Sequence, residues 1–122
     1  MATTLGSLWR GRADPTYRRG RDGAVWRTSR TPEGAGTIRI VAQPASATIH
    51  ATAWGPGADW LLETFPASLG ADDDASGFVP GHPLLRDLAR LHRGWRVPRS
   101  GRVLEALVPA VLEQKVTGMQ AR

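Results

Sequence analysis

The sequence predicts an α+β fold, with an antiparallel sheet first and helices after it. Three observations carry this. The runs 24–30, 37–42 and 48–54 alternate apolar and polar side chains with period two. At GPGAD (55–59) the period changes, and Leu61, Leu62, Phe65 and Leu69 then fall on one helical face. A stretch low in apolar residues, ADDDASGFVPGH (71–82), separates that unit from a second set of helical patterns. The expected organisation is an α+β unit at 1–70, a linker at 71–82 and a helical segment at 83–122.

Taken in order, a weak strand is expected over Leu5–Arg12, ahead of turn-forming ADPT (13–16). AVWRTSR (24–30) is a short alternating run of β-formers. TIRIVA (37–42) puts Ile38 and Ile40 on one face and Arg39 on the other. QPAS (43–46) is turn chemistry, because Pro44 has no N–H to donate to a ladder. TIHATAW (48–54) alternates again with Ile49, Ala51 and Ala53 on one side, so it pairs with TIRIVA as a hairpin.

In the helix after GPGAD, Pro66 is expected to kink or divide the helix because it removes an internal hydrogen bond, and Gly70 is the expected stop. Pro83 suits a first helical turn, Leu84, Leu85, Leu88 and Leu91 give that helix an apolar side, and Gly94 ends it. After the loop GWRVPRSG (94–101), Ser100 is the expected cap of a helix carrying Val103, Leu104, Leu107, Val108, Val111 and Leu112. Pro109 sits inside it, where a kink or a restart is expected. Thr117-Gly-Met-Gln120 then fits a capping box, so a further helix starts near residue 118 and Gln114-Lys115-Val116 becomes a tight connection. A helix with room for barely one turn is unstable alone, so the expectation is a piece of a longer protein.

Composition removes several functions. There is no Cys, hence no disulfide framework and no thiolate metal site. His50, His82 and His92 are scattered. No apolar run reaches membrane-spanning length, and the N-terminus lacks a signal-peptide core, so a cytoplasmic protein is expected. Charge is segregated. Residues 1–40 hold eight Arg against three acids, 41–80 hold five acids and no base, and 81–122 hold eight bases against three acids. Basic blocks attract polyanions, nucleic acid first among them, although a merely solvated surface fits the same pattern.

Two weaker signals read as structural. Asp72, Asp73 and Asp74 lack the spaced oxygen ligands of a calcium loop and read as a solvated linker. GPGAD lacks the Lys-Ser/Thr of a nucleotide-binding loop and reads as a helix start. The five tryptophans, Trp9, Trp26, Trp54, Trp60 and Trp95, suit either base stacking or a core, and core packing is expected for most.

LVPAVLEQKVT (107–117) resembles the helix and turn that open the catalytic domain of helix-hairpin-helix DNA glycosylases, in particular the DNA-3-methyladenine glycosylase II group. The family pattern is an acidic residue, an apolar helix, then Gln, a wedge residue, Val and Ser or Thr. Glu105, Gln114, Lys115, Val116 and Thr117 stand at those positions here, with Gly118 completing the turn. DPTYRR, VWRTSRTPEG and ATAWGPGADWLL resemble the actinobacterial branch of that group. The resemblance implies an N-terminal sheet-and-helix domain like half of the TATA-binding protein, followed by the first helices of an all-α glycosylase domain.

It also implies base excision repair. Such an enzyme, a monomer that needs no metal or other cofactor, bends double-stranded DNA, flips out an alkylated purine and hydrolyses its N-glycosidic bond. Lys115 would be the wedge that fills the gap, where relatives often carry an apolar residue or Gln. The family's DNA-anchoring hairpin and catalytic Asp have no match in these residues, so no catalytic residue is expected here and the 122-residue chain alone is expected to be inactive. The rival readings are a non-catalytic basic nucleic-acid-binding module and a basic domain that binds an acidic protein.

Overall fold

A computed structural model of the chain describes residues 2–116 and 120. It is α+β. The elements run α1 (Ala2–Gly6), β1 (Tyr17–Arg19), β2 (Val25–Thr31), β3 (Gly34–Gln43), β4 (Thr48–Trp54), α2 (Ala58–Ser68), α3 (Pro83–Leu91) and α4 (Val103–Glu113), with a 3-10 turn at Pro44–Ser46 between β3 and β4. The four strands form one antiparallel sheet in the order β1-β2-β3-β4. The expected hairpin of TIRIVA with TIHATAW is present, with Ile38 opposite Ala53 and Ile40 opposite Ala51.

Period two decides which face is covered. Tyr17, Val25, Ile38 and Ile40 point to one side and form the core with Leu5 of α1 and Leu61 of α2. Phe65 and Leu69 follow Leu61 at four-residue intervals and pack against the same cluster. Leu62 does not, because it lies a quarter-turn away and is exposed. Two glycines let α2 start close to the sheet. A Cβ on Gly36 would come 2.6 Å from Leu61 Cδ1 and 3.1 Å from the Gly57 carbonyl carbon, so only the bare backbone fits. Gly70 stops α2 as expected. Its φ is +82°, its N–H bonds to Ala67 O, and the N–H of Ala71 reaches Pro66 O, which together make a Schellman cap.

Several expectations are corrected. Leu5–Arg12 is not a strand. Leu5 and Leu8 both meet the core, and their three-residue spacing suits a helical turn rather than a pleat. β1 was not expected, since Tyr-Arg-Arg shows only one apolar residue. Helix α3 ends at Leu91, not at Gly94, with the His92 N–H bonded to Leu88 O. Ser100 does not cap α4. Its hydroxyl accepts from the Arg102 N–H, and Arg102 itself holds the cap position without a side-chain bond. Helix α4 runs through Pro109 to Glu113 without restarting. The proposed capping box rests on Thr117, which with Gly118 lies outside the described residues.

The linker is more than a solvated spacer. Asp73 accepts from the Val97 N–H at 2.8 Å, Asp72 pairs with Arg99 at 3.5 Å, and Asp74 accepts from the Ser76 N–H at 2.9 Å. The Arg99 N–H also bonds to Ala67 O at the end of α2. Segment 96–99 is thereby tied back onto the sheet-and-helix unit. The three carboxylates have three different partners, which is the opposite of a shared ion site.

Candidate nucleic-acid interface

β1 begins only at Tyr17, opposite Arg27, and leaves the outer edge of β2 beyond Arg27 without a strand partner. An unpaired strand edge presents backbone N–H groups that need acceptors. Thr16 O takes the Thr28 N–H at 2.9 Å, and Glu105 from the first turn of α4 takes the next one. One Glu105 oxygen accepts from the Arg30 N–H at 3.2 Å, and the other accepts from the Ser29 hydroxyl at 3.0 Å. The same carboxylate lies 3.7 Å from the Arg27 guanidinium. Arg27 points to the core side of the sheet, with 14% of its side chain exposed. Burial lowers its pKa, and the Glu105 charge partly restores it. Glu105 therefore docks α4 through hydrogen bonds that continue the sheet.

A second charge holds the approach to β1. Asp14 accepts from the Arg10 and Thr16 N–H groups and from the Thr16 hydroxyl, all within 3.0 Å. Its partial burial pushes its pKa up, but these hydrogen bonds and the Arg27 charge outweigh that, and the net shift is downward. Between this loop, the β2 edge and α4 lies a groove of about 680 Å³. Leu8, Leu104, Val108 and Leu112 give it apolar walls. Its carboxylates are committed to the ion pairs and hydrogen bonds that frame it: Asp14 to its loop, Glu105 to β2, and Glu113 to Arg10 at 3.9 Å. That arrangement is structural.

Of the wedge-turn residues, Gln114, Lys115 and Val116 leave the C-terminal end of α4 and are exposed. The N–H groups of Gln114 and Lys115 bond to Val111 O and Leu112 O, which tightens the last turn. Thr117 and Gly118 lie outside the described residues, so the five positions are brought together only in part. Among the described residues no group of three His, Cys, Asp or Glu could hold a metal ion. No described helix is long and apolar enough to cross a membrane.

The expectation of core packing fails for the tryptophans. None is buried, and Trp9, Trp54 and Trp95 are exposed. Trp60 alone packs against the core cluster. Trp9 stacks on Tyr17 beneath the Arg19 guanidinium. Trp26 and Trp54 project from the sheet face opposite the core and stack over β3, with centroids 5.5 Å apart and planes within 15°. Arg39 lies 5.8 Å from the Trp26 ring centre and pairs with Asp22 at 2.6 Å, a contact that lowers the Asp22 pKa. The sequence held the signal. Trp26 shares its parity with Thr28 and Arg30, and Trp54 has the opposite parity to Ala51 and Ala53. Comparison with known protein families, curated proteins and solved structures finds no match to this chain in any of the three.

Proposed function

We propose that the chain is the N-terminal part of a DNA glycosylase that excises alkylated purines, its sheet-and-helix unit corresponding to a TATA-binding-protein-like half and α3 and α4 opening the helical catalytic domain. One observation supports this beyond the resemblance. Every leucine and valine of α3 and α4 is exposed, while those on the core face of the sheet are covered. Two helices whose apolar sides stay exposed among the described residues are half of a helical layer, and a helical layer needs its other half to be stable. Helices that complete such a layer would also supply the catalytic Asp, whose negative charge would stabilise the oxocarbenium-like transition state.

In this reading Lys115 sits at the tip of the turn that enters the duplex, with Gln114 and Val116 flanking it. The test is release of alkylated purines from a methylated duplex by the product of the whole genomic reading frame. Release is expected from a product that continues past residue 122, and none from residues 1–122. Lys115→Ala in the active product is expected to lower damaged-duplex binding or excision roughly fivefold, for a wedge that recovers about 1 kcal/mol of the unstacking cost. A full product that frees no alkylated base refutes the reading. An active enzyme indifferent to Lys115→Ala refutes only the wedge.

A further inference from the structure

The outer face of the sheet has no place in the glycosylase reading. Helices α1 and α2 cover the opposite face, and among the described residues no helix lies over this one. None of the four strands contains an acidic residue, yet they carry Arg18, Arg19, Arg27, Arg30 and Arg39. Alternation sends Arg18, Arg30 and Arg39 to the outer face together with Trp26 and Trp54. Arg18 stands directly opposite Trp26. The guanidinium groups of Arg18 and Arg30 pair with no carboxylate among the described residues, whereas Arg39 is held by Asp22 against Trp26. Trp54, 47% exposed on the edge strand, has a ring already ordered on one side by Trp26.

We propose that this face binds a single-stranded polynucleotide, with an unpaired base stacked on the Trp54–Trp26 pair and the flanking phosphates met by Arg18 and Arg30. The chemistry favours this ligand over others. Exposed aromatic rings on an antiparallel sheet offer flat surfaces to any base, and such stacking tolerates sequence. In a duplex the base faces are occupied by their neighbours, so only an unpaired base can use the ring. Burying free guanidinium groups beside exposed indoles suits a partner that is both polyanionic and aromatic. The proposal is independent of the glycosylase reading, since it needs neither α3 nor α4.

The experiment is fluorescence anisotropy of short labelled oligothymidylate, oligouridylate and a blunt duplex with the intact chain, over a series of salt concentrations. Tight, salt-dependent binding of the single strands is expected, with quenching of tryptophan fluorescence. Preference for the deoxy or the ribo strand identifies which backbone the natural ligand carries, and either supports the proposal. Trp54→Ala should weaken binding about 5- to 150-fold. Trp54→Phe should keep most of it. Trp95→Ala, a change at a comparably exposed ring off the sheet, should do nothing. Arg18→Gln should lower the slope of log affinity on log salt by about 0.7. Duplex bound as tightly as single strand, with Trp54→Ala and Trp95→Ala indistinguishable, overturns the proposal. So does single-strand binding without tryptophan quenching, a readout that needs no variant to fold.

Discussion

Replacing Glu105 tests how α4 is held. Glu105→Ala removes the acceptor for the Ser29 hydroxyl and the Arg30 N–H, and leaves Arg27 without its partner. Two hydrogen bonds to a charged acceptor contribute ~3–6 kcal/mol before discounts. About a third of the Glu105 side chain remains in water, with 32% exposed, which weakens both bonds and the ion pair. Ordering the side chain costs a further ~1–2 kcal/mol. The expected net loss is ~2–3 kcal/mol in the docking of α4. Amide hydrogen exchange reads this locally, because the Arg30 N–H is directed at Glu105 and away from β3. Its protection should fall roughly 30- to 150-fold in Glu105→Ala. Glu105→Gln, which keeps one acceptor oxygen and loses the charge, should fall between the two. The amides of Ile38 and Ile40, in the middle of the sheet, should keep their protection. An Arg30 amide that exchanges at the same rate in all three proteins would refute the reasoning, because α4 would then be held by something other than this carboxylate.

Gly36→Ala should destabilise the protein by ~1–3 kcal/mol, read as a lower urea midpoint, because the added methyl meets both Leu61 and the Gly57 backbone. Acid should loosen the loop before β1. The Asp14 pKa is lower in the folded chain than in the unfolded one, so the stabilisation it provides is present above the unfolded value near 3.8 and is lost as pH falls through the folded value. A urea midpoint that falls in this acidic range for the parent but less for Asp14→Asn would confirm the assignment. Equal slopes for the two would reject it.

The sheet was legible because its pattern is local. TIRIVA and TIHATAW alternate cleanly, and the turn between them carries Pro44. Helix α2 was legible from Leu61, Phe65 and Leu69 together with the Gly70 stop. β1 escaped because three residues are too few to show a period. Glu105 was visible only as an acidic residue in a family-like pattern. Its structural task lies with Ser29 and Arg30, more than seventy positions away, and no spacing rule reaches that far. The outer tryptophan pair was legible in principle. The general expectation that Trp is buried outweighed a parity argument that was available strand by strand.

The sheet order β1-β2-β3-β4 bears on the order of assembly during synthesis. Each strand pairs with the one made just before it, so no pairing waits for a distant segment. Residues 1–70 contain every described strand and the helices α1 and α2 that cover them, and they leave the ribosome before α3 and α4. The Arg30 amide then waits with only water as its acceptor until Glu105 emerges. The slow, long-range closure in this chain is therefore the docking of a helix onto a finished sheet edge, after the framework that positions the Trp26–Trp54 face has formed.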